Sequence, residues 1–361
     1  MYEKIAKRLL KESLSISKED TLLIESWSHT LDFATAVAIE AEKLGADFLI
    51  TTYTDDYYSR SLNELSDELL KKPPKLSFAL LEAQTASINI EGPEDPAIFH
   101  DMPMERFGLV GEKWKPYRDK VHELNIKSID IQLGLVTPQR AKVYGLDHDL
   151  WMKEMTESLD ISYHGLKEFG SKIAKMLQKA QEVHVTSPGG TNVKFRLAGR
   201  PIHIFDGIVD PEDMKVGSHF SGLPTGIVAF APSETSAEGK VVADLPHTLL
   251  AKWVKNLTWT FEQGVLKKWD AEENLEAWEK IYEGQSGDKD RFSFFGLGLN
   301  SKAQTGYLHD WIVNGVVTIG IGDNTWFEGK NNASYTDDIS ISKATVKLDG
   351  KPILVNGEYQ I

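Results

Sequence analysis

A strand–helix–strand pattern near the amino terminus constrains the fold more than any other feature of the chain. Residues 20–25 form a short apolar run typical of a buried strand, and residues 46–51 form another. Between them, residues 30–44 have helical character and stop at Gly45, a residue type common just past a helix end. Because strands joined through a helix pair in parallel with a right-handed crossover, the pattern predicts a parallel sheet.

The sequence pattern changes after residue 180. Before it, we predict further strands at residues 86–90 and 129–135 and a long helix at residues 159–180. After it, residues 182–186 and 193–197 alternate between apolar and polar side chains on either side of a Pro-Gly-Gly turn. This arrangement is typical of a β-hairpin. The remainder contains mainly short strands with Gly and Asn turns.

The length of 361 residues favours two domains, since a single core of ordinary size rarely extends so far. We place the boundary near residue 181. The predicted fold class is an α/β domain with a parallel sheet, residues 1–180, followed by a β-rich domain, residues 181–361, that contains one helix at residues 271–282.

Composition excludes several classes of function. A net charge of −14 argues against a nucleic-acid partner, because phosphate binding requires clustered Lys and Arg. The sequence has no apolar run of about 18 residues and no signal-peptide pattern, so we expect a cytoplasmic protein without a membrane partner. The absence of Cys excludes disulfides, thiolate metal sites and a Cys nucleophile.

Residues 329–338 have the frame of a metal-binding hairpin, a glycine-rich turn that runs into a strand. Side chains two residues apart in a strand point the same way, so Tyr335 and Asp337 could share an ion. His is the ligand expected beside such an Asp, but position 335 is Tyr. A neutral phenol is a poor ligand, so the segment predicts an altered site.

Six phrases in the second half resemble the aminopeptidase T (thermophilic metalloprotease) family of metallo-aminopeptidases. They are residues 183–193, 206–207, 223–232, 236–239, 296–300 and 322–331. The resemblance implies an amino-terminal α/β domain, a β-rich domain that binds two metal ions, and a homodimer. Two ions suit peptide hydrolysis, because one polarises the carbonyl group and both acidify a bridging water.

The resemblance also implies six metal ligands, which are two Glu, two His, a Tyr and an Asp. Five of the matching positions differ here, and only Asp337 agrees with the family. The two Glu positions are Ile227 and Phe294, the His positions are Thr318 and Tyr335, and the Tyr position is Thr325 or, shifted by one residue, Trp326. We therefore expect no cofactor, or at most one divalent metal ion held with the help of Asp337.

A related group, the ring-opening dihydroxypyridine dioxygenases, has phrases similar to residues 224–226 and 236–239. The resemblance implies one iron held by two His and one Asp. The two His would fall at Phe294 and Tyr335, so again only the Asp is retained. This comparison implies that the scaffold accepts an apolar residue at Ile227, where the peptidase has its first Glu.

The leading interpretation is a diverged enzyme that acts on a short peptide or small molecule in the inherited pocket. The residues predicted to line that pocket are Ile227, Phe294, Thr318, Thr325, Trp326 and Lys330, with Asp337, Tyr335 and His309 as candidate catalytic groups. Alternatively, Asp337 caps a turn and the apolar residues fill the space of the lost ions. The protein would then be an inactive binding or scaffold homologue. A third alternative is a single-metal enzyme.

Overall fold

The structure, a computed structural model, describes residues 1–99, 104–215, 218–249 and 252–361. Its α-helices, in chain order, are α1 (Tyr2–Arg8), α2 (Leu31–Leu44), α3 (Asp55–Glu64), α4 (Asp67–Lys71), α5 (Lys75–Leu81), α6 (Met104–Glu123), α7 (Pro138–Tyr144), α8 (His148–Leu159), α9 (Tyr163–Leu177), α10 (Pro211–Lys215) and α11 (Leu275–Glu283). No helix within these ranges is long and apolar enough to span a membrane.

The strands are short, as the sequence predicted for the carboxy-terminal half. In chain order they are β1 (Thr21–Trp27), β2 (Asp47–Tyr53), β3 (Ala86–Ile90), β4 (Lys127–Ile131), β5 (Glu182–Thr186), β6 (Asn192–Arg196), β7 (His203–Phe205), β8 (Phe220–Leu223), β9 (Ile227–Phe230), β10 (Glu238–Val242), β11 (His247–Leu249), β12 (Lys252–Val254), β13 (Thr258–Glu262), β14 (Val265–Asp270), β15 (Phe292–Gly298), β16 (Val317–Gly322), β17 (Thr336–Ile341), β18 (Thr345–Leu348), β19 (Lys351–Val355) and β20 (Glu358–Tyr359).

The first compact unit comprises Met1–Asp160 and Gly207–Pro224. Its sheet has the order β2-β1-β3-β4-β8, and every neighbouring pair is parallel. Helix α2 stops at Gly45, whose φ of 83° lies in the left-handed region that glycine adopts without strain. The predicted parallel α/β fold of the amino-terminal half is confirmed.

The second compact unit comprises Ile161–Asp206 and Thr225–Ile361. It contains an eight-stranded sheet, β14-β13-β10-β6-β5-β18-β19-β20, and a five-stranded sheet, β17-β16-β15-β9-β7. The predicted hairpin is present, because β5 and β6 pair antiparallel from Glu182–Arg196 to Thr186–Asn192. The predicted β-rich character of the carboxy-terminal half is confirmed.

The division between the units differs from the boundary predicted at residue 181. Helix α9 belongs to the second unit, because a Cβ added at Gly170 would lie only 2.6 Å from Ile204 of β7 and 3.3 Å from Val228 of β9. Strand β8, although later in the chain, pairs with β4 and so belongs to the first unit. Helical periodicity alone does not reveal which sheet a helix covers.

Candidate functional site

The five-stranded sheet of the second unit carries most of the predicted site residues, and its two faces have different surroundings. Phe295 pairs with Ile319, and Ile319 pairs with Ile339, so the three side chains lie on one side of the sheet. We call this side the core face. The Phe295 ring lies 5.1 Å from that of Phe195 on β6. The core face therefore packs against the eight-stranded sheet.

The opposite side, which we call the site face, carries Ile227, Phe294 and Thr318. A Cβ added at Gly296 would lie 2.7 Å from Ile227 and 3.5 Å from Thr318, so these side chains flank the same glycine. A Cβ added at Gly320 would lie 2.3 Å from the Phe294 ring. Glycine at both positions thus makes room for the apolar side chains that lie above the strands.

Apolar side chains fill the site face at two positions where the resemblance implies Glu. Ile227 and Phe294 pack together with Ala229, and the half-buried side chains of Phe205, Trp311 and Phe327 pack on them; we call this group the aromatic cluster. The Phe294 and Phe327 rings are stacked, with centroids 5.1 Å apart and planes inclined by 29°. An ionised carboxylate buried here would be costly unless it were paired, so this environment favours the residues present.

The polar groups of the site face come mainly from β16 and β17. Asp338 pairs with Gly320, which places its side chain on the same side as Phe294. Thr318 and Ser340 pair in the same way, with their hydroxyl oxygens 3.4 Å apart. Burial raises the pKa of the Asp338 carboxyl to about 6, although His247 acts in the opposite direction. Asp338 can therefore gain or lose a proton near neutral pH.

Asp337, the predicted ligand, lies on the core face. It pairs with Ile321, and its Oδ2 accepts a hydrogen bond of 2.7 Å from Trp278 Nε1. Its Oδ1 lies 3.0 Å from His247 Nε2. Burial is the largest single influence on the pKa of His247 and lowers it, but the charge of Asp337, a hydrogen bond to Asp337 and the charge of Asp338 together outweigh burial and raise the pKa. Asp337 is thus engaged by two ring nitrogens, away from the aromatic cluster.

Tyr335 lies near Asp337 and not beside Phe294. Its hydroxyl is buried and has no hydrogen-bond partner among the residues that the structure describes. Burial raises the pKa of this phenol, and the nearby negative charge of Asp337 raises it further. A phenol held so firmly in its neutral form is a weak metal ligand.

The turn before β17 holds three more of the predicted residues, Thr325, Trp326 and Lys330. Thr325 donates a hydrogen bond of 2.7 Å from its hydroxyl to Asp323 Oδ1, and Trp326 is 64% exposed. The backbone N–H of the exposed Lys330 donates to Glu234 Oε1 at 2.8 Å. These residues form a surface turn beside the aromatic cluster, to which the neighbouring Phe327 belongs.

His309 lies in another part of the second unit. It is only 1% exposed and directly precedes the short 3-10 helix Asp310–Ile312. Trp311 of that helix packs against the aromatic cluster.

The structure thus brings together Ile227, Phe294 and Thr318 on one side of the sheet. Tyr335 and Asp337 lie together near the other side.

Sequence reasoning missed Asp338 and His203 as members of the site face. His203 pairs with Ala229, and its ring lies 5.7 Å from Phe327 in an edge-to-face contact. Burial lowers the pKa of His203, against the opposing charge of Glu328. A signal for Asp338 was present in the sequence, since strand alternation groups Asp337 with the apolar residues 339 and 341.

The site face carries few side chains of the types that bind metal ions. In the four described ranges, no group of three or more His, Cys, Asp or Glu side chains is arranged to hold a metal ion. Asp338 contributes one carboxylate and His203 one imidazole, while Thr318 and Ser340 supply only neutral hydroxyl groups. Divalent ions that activate water for hydrolysis need several carboxylate or imidazole ligands.

The two halves of the chain match two different protein families. Residues 1–157 match the model of the thermophilic metalloprotease family, and residues 160–361 match that of the 2,5-dihydroxypyridine 5,6-dioxygenase family. No curated protein sequence matches the chain.

Two solved structures share the fold over nearly the whole length. Wild-type AmpT from Thermus thermophilus is 20% identical, with a TM-score of 0.76, and the match covers 100% of this chain and 99% of that one. A 2,5-dihydroxypyridine dioxygenase from Pseudomonas putida is 16% identical, with a TM-score of 0.64, and the match covers 99% of this chain and 96% of that one.

The fold and the matches together define a protein with a parallel α/β unit and a β-rich unit of the aminopeptidase T type. The longer family match covers more than half of the chain, and the chain therefore belongs to the 2,5-dihydroxypyridine 5,6-dioxygenase family, while residues 1–157 match the thermophilic metalloprotease model.

Proposed function

We propose that the site face binds a small organic molecule or short peptide without a two-metal centre, and that Asp338 exchanges protons with the bound molecule. The observation that supports this proposal is the aromatic cluster, in which Ile227 and Phe294 occupy two positions where the resemblance implies Glu ligands. Aromatic walls with a few directed polar groups are typical of sites for small, partly apolar ligands. This function differs from two-metal peptide hydrolysis.

A flat ring is the ligand shape that the cluster suits best. Phe327 contacts Phe205 edge to face at 6.2 Å and is itself only partly buried, so an aromatic edge reaches the surface. One structural relative is named for its action on dihydroxypyridine, which is also a flat ring. Offset or edge-to-face contacts with such a ring contribute about 0.5–1.5 kcal/mol beyond area burial.

Asp338 is the group that we propose as the proton donor and acceptor. A carboxyl whose pKa is about 6 can act as a general base in part of the population and as a general acid in the rest at neutral pH. At most one divalent ion accompanies it, and we propose a homodimer on the basis of the family resemblance. Sedimentation velocity tests the oligomeric state.

Ligand binding tests the proposal directly. Nicotinate, 2,5-dihydroxypyridine and the dipeptide Leu-Leu are titrated into the protein while tryptophan fluorescence and melting temperature are recorded. We expect saturable binding of at least one probe, weakened about tenfold or more in Asp338→Asn, because a group hydrogen-bonded to an ionised acceptor contributes about 1.5–3 kcal/mol.

The neighbouring variant Asp337→Asn is the matched control, since it makes the same chemical change on the opposite face. We expect it to lower stability and leave probe affinity unchanged well below its melting temperature. Equal loss of affinity in both variants, or no saturable binding of any probe, would contradict the proposed site.

A second candidate function follows from the tight packing of the same cluster. Phe294 is only 8% exposed, which favours a filled core and hence a catalytically inactive binding or scaffold protein. The two candidates differ in the response to Phe294→Leu. A ligand site should lose probe affinity, whereas a scaffold without a site has no affinity to lose.

A further inference from the structure

A row of polar side chains crosses the parallel sheet of the first unit near the carboxyl ends of its strands. Glu25 on β1 pairs with Thr51 on β2 and Asn89 on β3, and Asn89 pairs with Asp130 on β4. Residues paired in a sheet point to the same side, and neighbouring strands lie about 4.8 Å apart. Glu91 stands two residues after Asn89, so three carboxyl groups, those of Glu25, Asp130 and Glu91, lie on one side of the sheet.

No positively charged side chain in the described ranges is paired with these carboxyl groups. In the described part of the chain, no ion pair involves Glu25, Glu91 or Asp130, although Asn89 donates a hydrogen bond to Asp130. Burial, and then the negative charge of Asp130, raises the pKa of both Glu25 and Glu91 to about 7. Carboxyl groups that repel one another in this way bind a cation favourably.

A second observation, the environment of Thr51, is independent of the carboxyl groups. The hydroxyl of Thr51, which neighbours Glu25 in the same row, is fully buried and has no hydrogen-bond partner among the described residues. Buried polar atoms in folded proteins are almost always hydrogen-bonded, so an orphan of this kind calls for a donor or acceptor from outside the chain.

Aromatic rings stand beside the carboxyl groups. Trp27 pairs with Tyr53, and their ring centroids are 6.0 Å apart, while Tyr58 lies 5.5 Å from Trp27. Burial and the charge of Glu25 raise the pKa of Tyr53 to about 12, and they do the same for Tyr117 of α6. Both phenols are therefore close to the Glu25 carboxylate, and their ring faces can attract an organic cation.

The location agrees with a general property of open parallel sheets. From β1 the chain passes to β2 on one side, and it returns to β3 on the other side of β1. Ligands of such sheets bind outside the carboxyl ends of the strands at the point where the strand order reverses. Glu25 and Asn89 lie at that point.

We propose that the carboxyl end of this sheet, with Glu25, Asp130 and Glu91 beside Trp27 and Tyr117, is a binding site for a small organic cation carrying an ammonium group. A bare metal ion fits less well, since the described residues contain no three-ligand group arranged for one. The site lies in the first unit, so it does not depend on the function proposed for the second.

Isothermal titration of the full-length protein tests this site with two primary ammonium compounds, putrescine and leucinamide. The first represents free polyamines and the second a peptide amino terminus, and 1,4-butanediol is the uncharged control. We expect saturable binding of at least one amine and none of the diol. We also expect proton release on binding near pH 7, revealed by repeating the titration in buffers of different ionisation enthalpy.

Matched variants separate a specific site from general attraction to an acidic protein of net charge −14. Glu25→Gln should weaken amine binding at least tenfold, and Asp130→Asn should act in the same direction. Glu82→Gln removes the same charge from an exposed position in the same unit and should leave affinity unchanged. Equal affinity in wild type and Glu25→Gln, equal weakening in Glu82→Gln, or no saturable binding of either amine would overturn the proposal.

Discussion

Replacing Phe294 with Ala should destabilise the second unit strongly. The ring is 8% exposed, stacks on Phe327 and covers the backbone at Gly320, which has no side chain to fill the vacated space. Phe-to-Ala substitutions in cores cost about 3–5 kcal/mol when the surroundings relax only partly. We expect a loss in that range, because the neighbouring Ile227 is fixed on a paired strand.

Urea unfolding followed by tryptophan fluorescence measures this change in the free energy of unfolding. Trp326→Ala, at a side chain that is 64% exposed, serves as the control and should change stability by less than about 0.5 kcal/mol. A double-mutant cycle with Phe327→Ala should give a coupling of about 0.5–1.5 kcal/mol for the stacked pair. A loss below about 1 kcal/mol for Phe294→Ala would refute the packed cluster.

Three further predictions follow from the same sheet. Gly320→Ala should cost about 1–3 kcal/mol in urea unfolding, because its Cβ would lie 2.3 Å from the Phe294 ring; unchanged stability would contradict that contact. Because the folded-state pKa of His247 is raised, its stabilising contact with Asp337 should be fully present below about pH 6.5 and weaken as pH rises above it. Wild type should therefore lose more stability than His247→Gln between pH 6 and 8, and parallel pH profiles would count against the ion pair. Hydrolysis of leucine anilide should be negligible even with added cobalt or zinc, since this route requires metal-activated water; robust turnover abolished by chelator would overturn this expectation.

Local sequence patterns were sufficient to predict the first three strands of the parallel sheet and helix α2. Apolar runs and the glycine stop gave β1, α2 and β2 to within a few residues, and β3 was predicted at Ala86–Ile90, as observed. The strand predicted at residues 129–135 instead ends at Ile131, where a 3-10 turn begins. Long-range features such as the return of β8 to the first sheet leave no local signal.

The candidate site was harder to predict, because adjacent strand residues face opposite ways. Asp337 and Asp338 are chemically identical neighbours, and a shift of one residue exchanges the core face for the site face. Strand alternation groups Asp337 with Ile339 and Ile341, but only the pairing of Asp338 with Gly320, which depends on tertiary structure, shows that Asp338 lies beside Phe294. The apolar character of the site, in contrast, was evident from Ile227 and Phe294 in the sequence alone.

The metal stoichiometry of the purified protein tests the central claim most directly. The protein is isolated without chelator, dialysed against zinc, cobalt or manganese, and analysed by mass spectrometry for bound metal. Because the aromatic cluster occupies two positions where the resemblance implies Glu ligands, we expect at most one tightly bound divalent ion per chain. A reproducible value near the two ions of a dinuclear hydrolase would contradict the account.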